Sequence, residues 1–121
     1  MKILFIINDA PYRTEKAYNA LRLSMQLQKE SASGGESNEI LIFLMADAVN
    51  CALPNQNAPN GDYNIERIMK AVINKKGKVK ICGSCAETME IKNLPLIEGV
   101  EISNMPELAK WSMEADKVLT F

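Results

Sequence analysis

The chain has 121 residues, 47% apolar and 24% charged, with 14 lysines and arginines against 15 aspartates and glutamates and no histidine. That length suits one domain, residues 1–121, around one core, and the composition is that of a globular rather than a disordered chain. A formal net charge of -1 lends no support to electrostatic binding of nucleic acid, and no segment reaches the roughly 20 apolar residues of a membrane span.

Lys2-Ile3-Leu4-Phe5-Ile6-Ile7 is a near-continuous apolar run, as expected of a strand buried on both faces of a parallel sheet. Its apolar part, Ile3 to Ile7, is too short for a signal-peptide core, so the expected location is the cytoplasm. Asn8 to Tyr12 breaks the strand. Thr14 can then cap a helix whose positions Ala17, Ala20, Leu21, Ser24 and Leu27 follow the 3.6 period. Ser31 to Gly35 ends it. A second buried strand is expected from Glu39 to Met45, followed by a short helical turn over Ala46 to Leu53.

Pro54 to Asp62 is polar and aperiodic and reads as a loop. Ile65, Ile68, Met69, Val72 and Ile73 then form one helical stripe, closed at Lys75-Lys76-Gly77 with glycine as the expected cap. Lys75, Lys76, Lys78 and Lys80 make a local basic run that reads as a solvated helix end and strand entry. Val100 to Ile102 is a candidate edge strand. Pro106 and Glu107 suit the first turn of a last helix carrying Leu108, Ala109, Trp111 and Met113. Lys117 to Phe121 reads as a final strand. Strands alternating with helices predict an α/β fold: three-layer α/β/α with a mostly parallel five-stranded sheet.

The chemistry concentrates in Lys78 to Glu87. Val79 and Ile81 alternate with lysines as in a strand, which stops at Cys82-Gly83. Ser84, with Glu87 three residues later, makes a capping box that opens a helix reaching to about Lys92-Asn93. Cys82 thus falls in a strand-to-helix turn and Cys85 in the first helical turn, where unpaired N–H groups favour a thiolate. Cys51 also follows a strand. In open parallel sheets sites gather at the carboxyl ends of the strands, so Asn8 to Arg13, Asp47 to Leu53 and Cys82 to Cys85 are expected to converge.

Three cysteines cannot form a complete disulfide framework alone, and with no histidine they make a poor zinc site. Cys82-Gly83-Ser84-Cys85 is a C-x-x-C motif, the pattern of dithiol exchange. Thioredoxin context is missing, because Ile81 rather than tryptophan precedes the motif and the motif lies past the middle of the chain. No glycine-rich phosphate loop is present either. Buried structural cysteines remain the alternative for all three thiols.

The opening strand and helix, Met45 to Leu53, Val79 to Cys85, and the ending Leu108 to Phe121 resemble the DsrE/DsrF-like sulfur-relay family, including its TusD-type and YchN-like members, over essentially the whole chain. The resemblance implies a compact α/β/α domain assembling as a homotrimer or homohexamer, with sulfur donor and acceptor proteins as partners. It implies that Cys82 accepts sulfane sulfur as a persulfide, and that Cys85 and Cys51 match the YchN-like pattern. Many relatives carry Arg-Gly where this chain has Met89-Glu90. The expected function is a cytoplasmic sulfur relay with Cys82 as acceptor, Cys85 as resolving thiol and Cys51 nearby, needing no metal or organic cofactor, nucleic acid or membrane. Its rivals are a non-catalytic oligomeric binding module and a C-x-x-C dithiol oxidoreductase.

Overall fold

The computed structural model describes residues 1–30, 35–56, 58 and 63–121. Strands β1 (Lys2–Ile7), β2 (Glu39–Leu44), β3 (Lys78–Cys82), β4 (Val100–Ser103) and β5 (Lys117–Thr120) form one sheet in the order β4-β3-β2-β1-β5, every pair parallel. The helices are α1 (Lys16–Lys29), α2 (Ile65–Asn74), α3 (Gly83–Thr88) and α4 (Met105–Glu114), with a 3-10 segment at Ala46–Ala52. The expected α/β/α fold is therefore observed. Most of the expected segment 31–35, and residues 57 and 59–62 of the expected loop, lie outside the described residues.

The strand order dictates the layers. The chain steps from β1 through β4 in one direction and then returns across the sheet to β5. Right-handed crossovers place α1, α2 and α3 over one face and α4 over the other. On the first face α1 packs along α2, burying Ala17, Ala20, Leu21 and Ser24 of α1 and Ile65, Met69 and Val72 of α2. The Ser24 hydroxyl donates to the Ala20 carbonyl at 2.9 Å, so its burial leaves no polar group stranded. On the second face Trp111 of α4 meets Phe43 of β2 edge-on, ring centroids 6.1 Å apart.

Helix ends depart from the sequence expectations in instructive ways. At the end of α2 the left-handed residue is Lys76, with φ 71°, rather than glycine. Gly77 follows it, and its N–H reaches the Val72 carbonyl at 2.9 Å while that of Lys76 reaches Ile73 at 2.9 Å. Glycine is needed here for space: a Cβ would come within 2.5 Å of Val72 Cγ1 and 2.7 Å of the Val72 carbonyl oxygen. Helix α3 stops at Thr88, well short of Lys92-Asn93. Glu90 takes the left-handed position, φ 59°, and the Ile91 N–H closes back on the Ala86 carbonyl at 2.9 Å. Helix α1 starts at Lys16, and Thr14 accepts the Lys16 N–H from outside the helix rather than capping its interior.

Candidate functional site at the carboxyl edge of the sheet

The three segments expected to converge do so. The 3-10 segment packs against α3, and the Cys51 thiol lies 3.9 Å from the Asp9 carbonyl oxygen. The Met45 N–H donates to Ile7 at 2.8 Å and the Asn8 N–H to Phe121 at 2.9 Å, so the ends of β1, β2 and β5 are tied level. Tyr12 fastens the rim from above: its hydroxyl accepts the Ile65 N–H at 2.9 Å and donates to the Gln56 carbonyl at 3.2 Å. Its φ of 65° is an unusual backbone state for a bulky residue.

Cys82 closes β3 and caps α3 with its own sulfur. The Cys85 N–H donates to Cys82 Sγ at 3.2 Å, which replaces the expected Ser84–Glu87 capping box with a cap made by the cysteine. The Ser84 hydroxyl lies 3.3 Å from the same sulfur. Cys82 and Cys85 are joined as a disulfide, their Cα atoms 5.2 Å apart, inside the usual span for such a bridge. A disulfide sulfur carries no proton, so Ser84 is the donor of its pair.

The turn is seated on β4. Cys82 and Ser103 are register partners, and a Cβ on Gly83 would lie 2.8 Å from the Ser103 carbonyl oxygen and 3.3 Å from Ile102 Cγ2. Only glycine lets the helix start this close to the neighbouring strand. Ser103 is itself buried, and its hydroxyl donates to Glu107 Oε1 at 2.7 Å. Lys80 donates to the other oxygen of Glu107 and lies 4.8 Å from the Trp111 ring centroid. The Lys80 hydrogen bond and then the Ser103 hydroxyl hold the Glu107 carboxyl below its ordinary value.

Sequence reading missed this Lys80–Glu107–Ser103 chain. The expectation that the basic run is solvated fits Lys75, Lys76 and Lys78, but the Lys80 side chain is 16% exposed. The available signal was the strand period: Lys80 lies in register with Phe43, so it shares the face that α4 covers.

Cys51 is the free cysteine. It is buried, and desolvation pushes its thiol up to about 12, so at neutral pH it is a protonated side chain in an apolar setting. Among the described residues no group of three or more His, Cys, Asp or Glu is placed to hold a metal ion.

A five-stranded parallel sheet with a paired C-x-x-C motif at the carboxyl end of one strand defines the class of this α/β protein. The sequence model of the DsrE/DsrF-like family matches residues 1–121, and the chain belongs to that family, which is related to sulfur relay. Protein YchN of Escherichia coli K12 is 42% identical over 121 residues, covering 99% of this chain and 98% of YchN. An uncharacterised protein of Methanocaldococcus jannaschii is 36% identical over 121 residues and the full length of both chains. The crystal structure of the Escherichia coli YchN protein superposes with a TM-score of 0.90 at 40% identity, covering 100% of this chain and 99% of that one. A Bacteroides thetaiotaomicron protein of unknown function shares the fold at 15% identity and a TM-score of 0.64.

Proposed function

We propose that this protein is a cytoplasmic sulfur carrier that accepts sulfane sulfur on Cys82 as a persulfide and passes it to an acceptor thiol. The observation that carries this reading is the pair of hydrogen bonds to Cys82 Sγ, from the Cys85 N–H and the Ser84 hydroxyl. Donors aimed at a sulfur favour its anionic form, the form that attacks sulfane sulfur. In the loading step the Cys82 thiolate bonds to the outer sulfur of the donor, and the donor departs with the electron pair of the broken bond.

Cys85 supplies a second outcome. Its thiolate attacks Cys82 Sγ of the persulfide, the bond to the outer sulfur breaks, and that sulfur leaves as hydrosulfide. The protein dithiol loses two electrons and the sulfane sulfur gains them. The close Cys82–Cys85 contact supports this resolving role, and it also favours dithiol exchange as the second reading of the site. Cys51 is assigned to packing, because its burial keeps it protonated. Sulfur chemistry of this kind belongs in a compartment that keeps thiols reduced.

The working form is proposed to be a homotrimer or homohexamer with donor and acceptor proteins as transient partners. Exposed Met105, Met113 and Val118 on the α4 side of the molecule support a face that another chain covers.

The test is intact mass of the reduced protein after exposure to a sulfane-sulfur donor. Wild type gains one sulfur atom before any discharge by Cys85, and Cys82→Ser gains none at any time while keeping its fold by circular dichroism. Equal gain in both overturns the assignment to Cys82.

A further inference from the structure

Cys82 and Cys85 offer very different targets to an incoming thiol. Cys82 is 5% exposed, lies at the strand end, and its sulfur accepts the Cys85 N–H at 3.2 Å and the Ser84 hydroxyl at 3.3 Å. Cys85 is half-buried on α3, between exposed Ser84 and exposed Glu87. Thiol–disulfide exchange distinguishes the two sulfurs by role. One must be reachable by the attacking thiolate, and the other leaves faster the better its negative charge is stabilised. Cys85 is the more exposed residue of the pair, and Cys82 carries the sulfur that the two donors stabilise.

We propose that a thiol reductant resets the oxidised site by attacking Cys85, so that the covalent partner complex forms on Cys85 and Cys82 is the leaving thiolate. The reductant thiolate bonds to Cys85 Sγ as the Cys82–Cys85 bond breaks, and the electron pair of that bond departs on Cys82. A second reductant thiolate then attacks the reductant sulfur of the mixed disulfide. The reductant leaves as its disulfide, Cys85 is freed as a thiolate, and two protons from water complete the dithiol. The site gains two electrons and two reductant thiols lose them. In the oxidised site it is therefore Cys85 that meets the reductant. This order of attack rests on the proposed reading of Cys82 and Cys85 as an active pair.

The experiment treats the oxidised full-length protein briefly with glutathione, traps free thiols with N-ethylmaleimide, and sequences the peptide spanning both cysteines by mass spectrometry. Glutathione on Cys85 with maleimide on Cys82 is expected to exceed the reverse product about tenfold. Ser84→Ala removes one donor from the leaving sulfur, and is expected to slow the exchange several-fold with the adduct still on Cys85. Glutathione chiefly on Cys82, or shared evenly, overturns the proposal. An unchanged rate in Ser84→Ala overturns the leaving-group assignment. A protein that never loads sulfane sulfur yet carries the adduct on Cys85 refutes the relay reading and leaves this one standing.

Discussion

Glu90 holds a backbone conformation that its side chain disfavours. With φ at 59° it occupies the left-handed position that ends α3, where a residue with a Cβ costs on the order of 1 kcal/mol relative to glycine. Glu90→Gly is therefore expected to raise the unfolding free energy by about 0.5–1 kcal/mol, read as a higher urea midpoint. An unchanged or lower midpoint contradicts the strain. Gly77 is the reverse case, because Val72 leaves no room for a Cβ. Cys51 makes a second prediction at this scale. Iodoacetamide at pH 8 is expected to leave it unmodified in the native protein and to label it once urea unfolds the chain, since burial lifts the thiol to about 12. Native labelling as fast as in urea contradicts that burial.

Residue roles were only partly legible in the sequence. The turn after β3 could be read because a β-branched strand ran into Cys-Gly-Ser. That Cys82 would cap the helix itself could not, because Ser84 with Glu87 also fits a capping pattern and the two possible starts lie only two residues apart. Cys51 follows a strand as Cys82 does, and sequence spacing does not show that Cys82 pairs with Cys85 while Cys51 stays free in the core.

Among the elements, α4 owes its seat to more than apolar packing. Asn104 caps it by accepting the Glu107 N–H at 3.0 Å, and the Glu107 side chain clamps it to Lys80 of β3 and Ser103 of β4. The Glu107 carboxyl is depressed from 4.5 by the Lys80 hydrogen bond first and the Ser103 hydroxyl next. A carboxyl depressed in the folded state stabilises the fold in full above its unfolded value, and the contribution is lost as pH falls through the lower folded value. Glu107→Gln is therefore expected to lower stability at pH 7 and to flatten the acid limb of a urea-midpoint profile between pH 7 and 3. Superimposable acid limbs contradict the ion pair's role. Some acid sensitivity remains in the variant, because Lys70 and then the Asn55 N–H hold Glu66 down in the same way. The helix itself was readable from Pro106, Glu107 and the apolar spacing, whereas the clamp joins residues 27 apart in sequence.

For the molecule as a whole, the sheet was legible because β1 and β2 are buried almost throughout and read as unbroken apolar runs. The edge strands β4 and β5 are short and largely exposed, and their pattern marks existence better than position. Five strands at about 4.8 Å spacing make a sheet about 19 Å wide, while the single helix α4 is about 10 Å across. Among the described residues the second face is thus incompletely covered by helix, and Met113 on it is 81% exposed. Light scattering is expected to give three or six times the 13.5 kDa chain mass. A monomer mass contradicts the assembly.

In the proposed relay Cys82 loads sulfane sulfur, and Cys85 discharges it when no acceptor thiol takes it. The most direct measurement gives the reduced protein one equivalent of polysulfide without added thiol, and follows intact mass and free sulfide together. Wild type is expected to gain one sulfur, then to lose it with two hydrogens as one sulfide per chain appears. Cys85→Ser is expected to keep the added sulfur and release no sulfide, and Cys82→Ser to do neither. Sulfide released equally by all three proteins, or no sulfur taken up by wild type, would contradict the account.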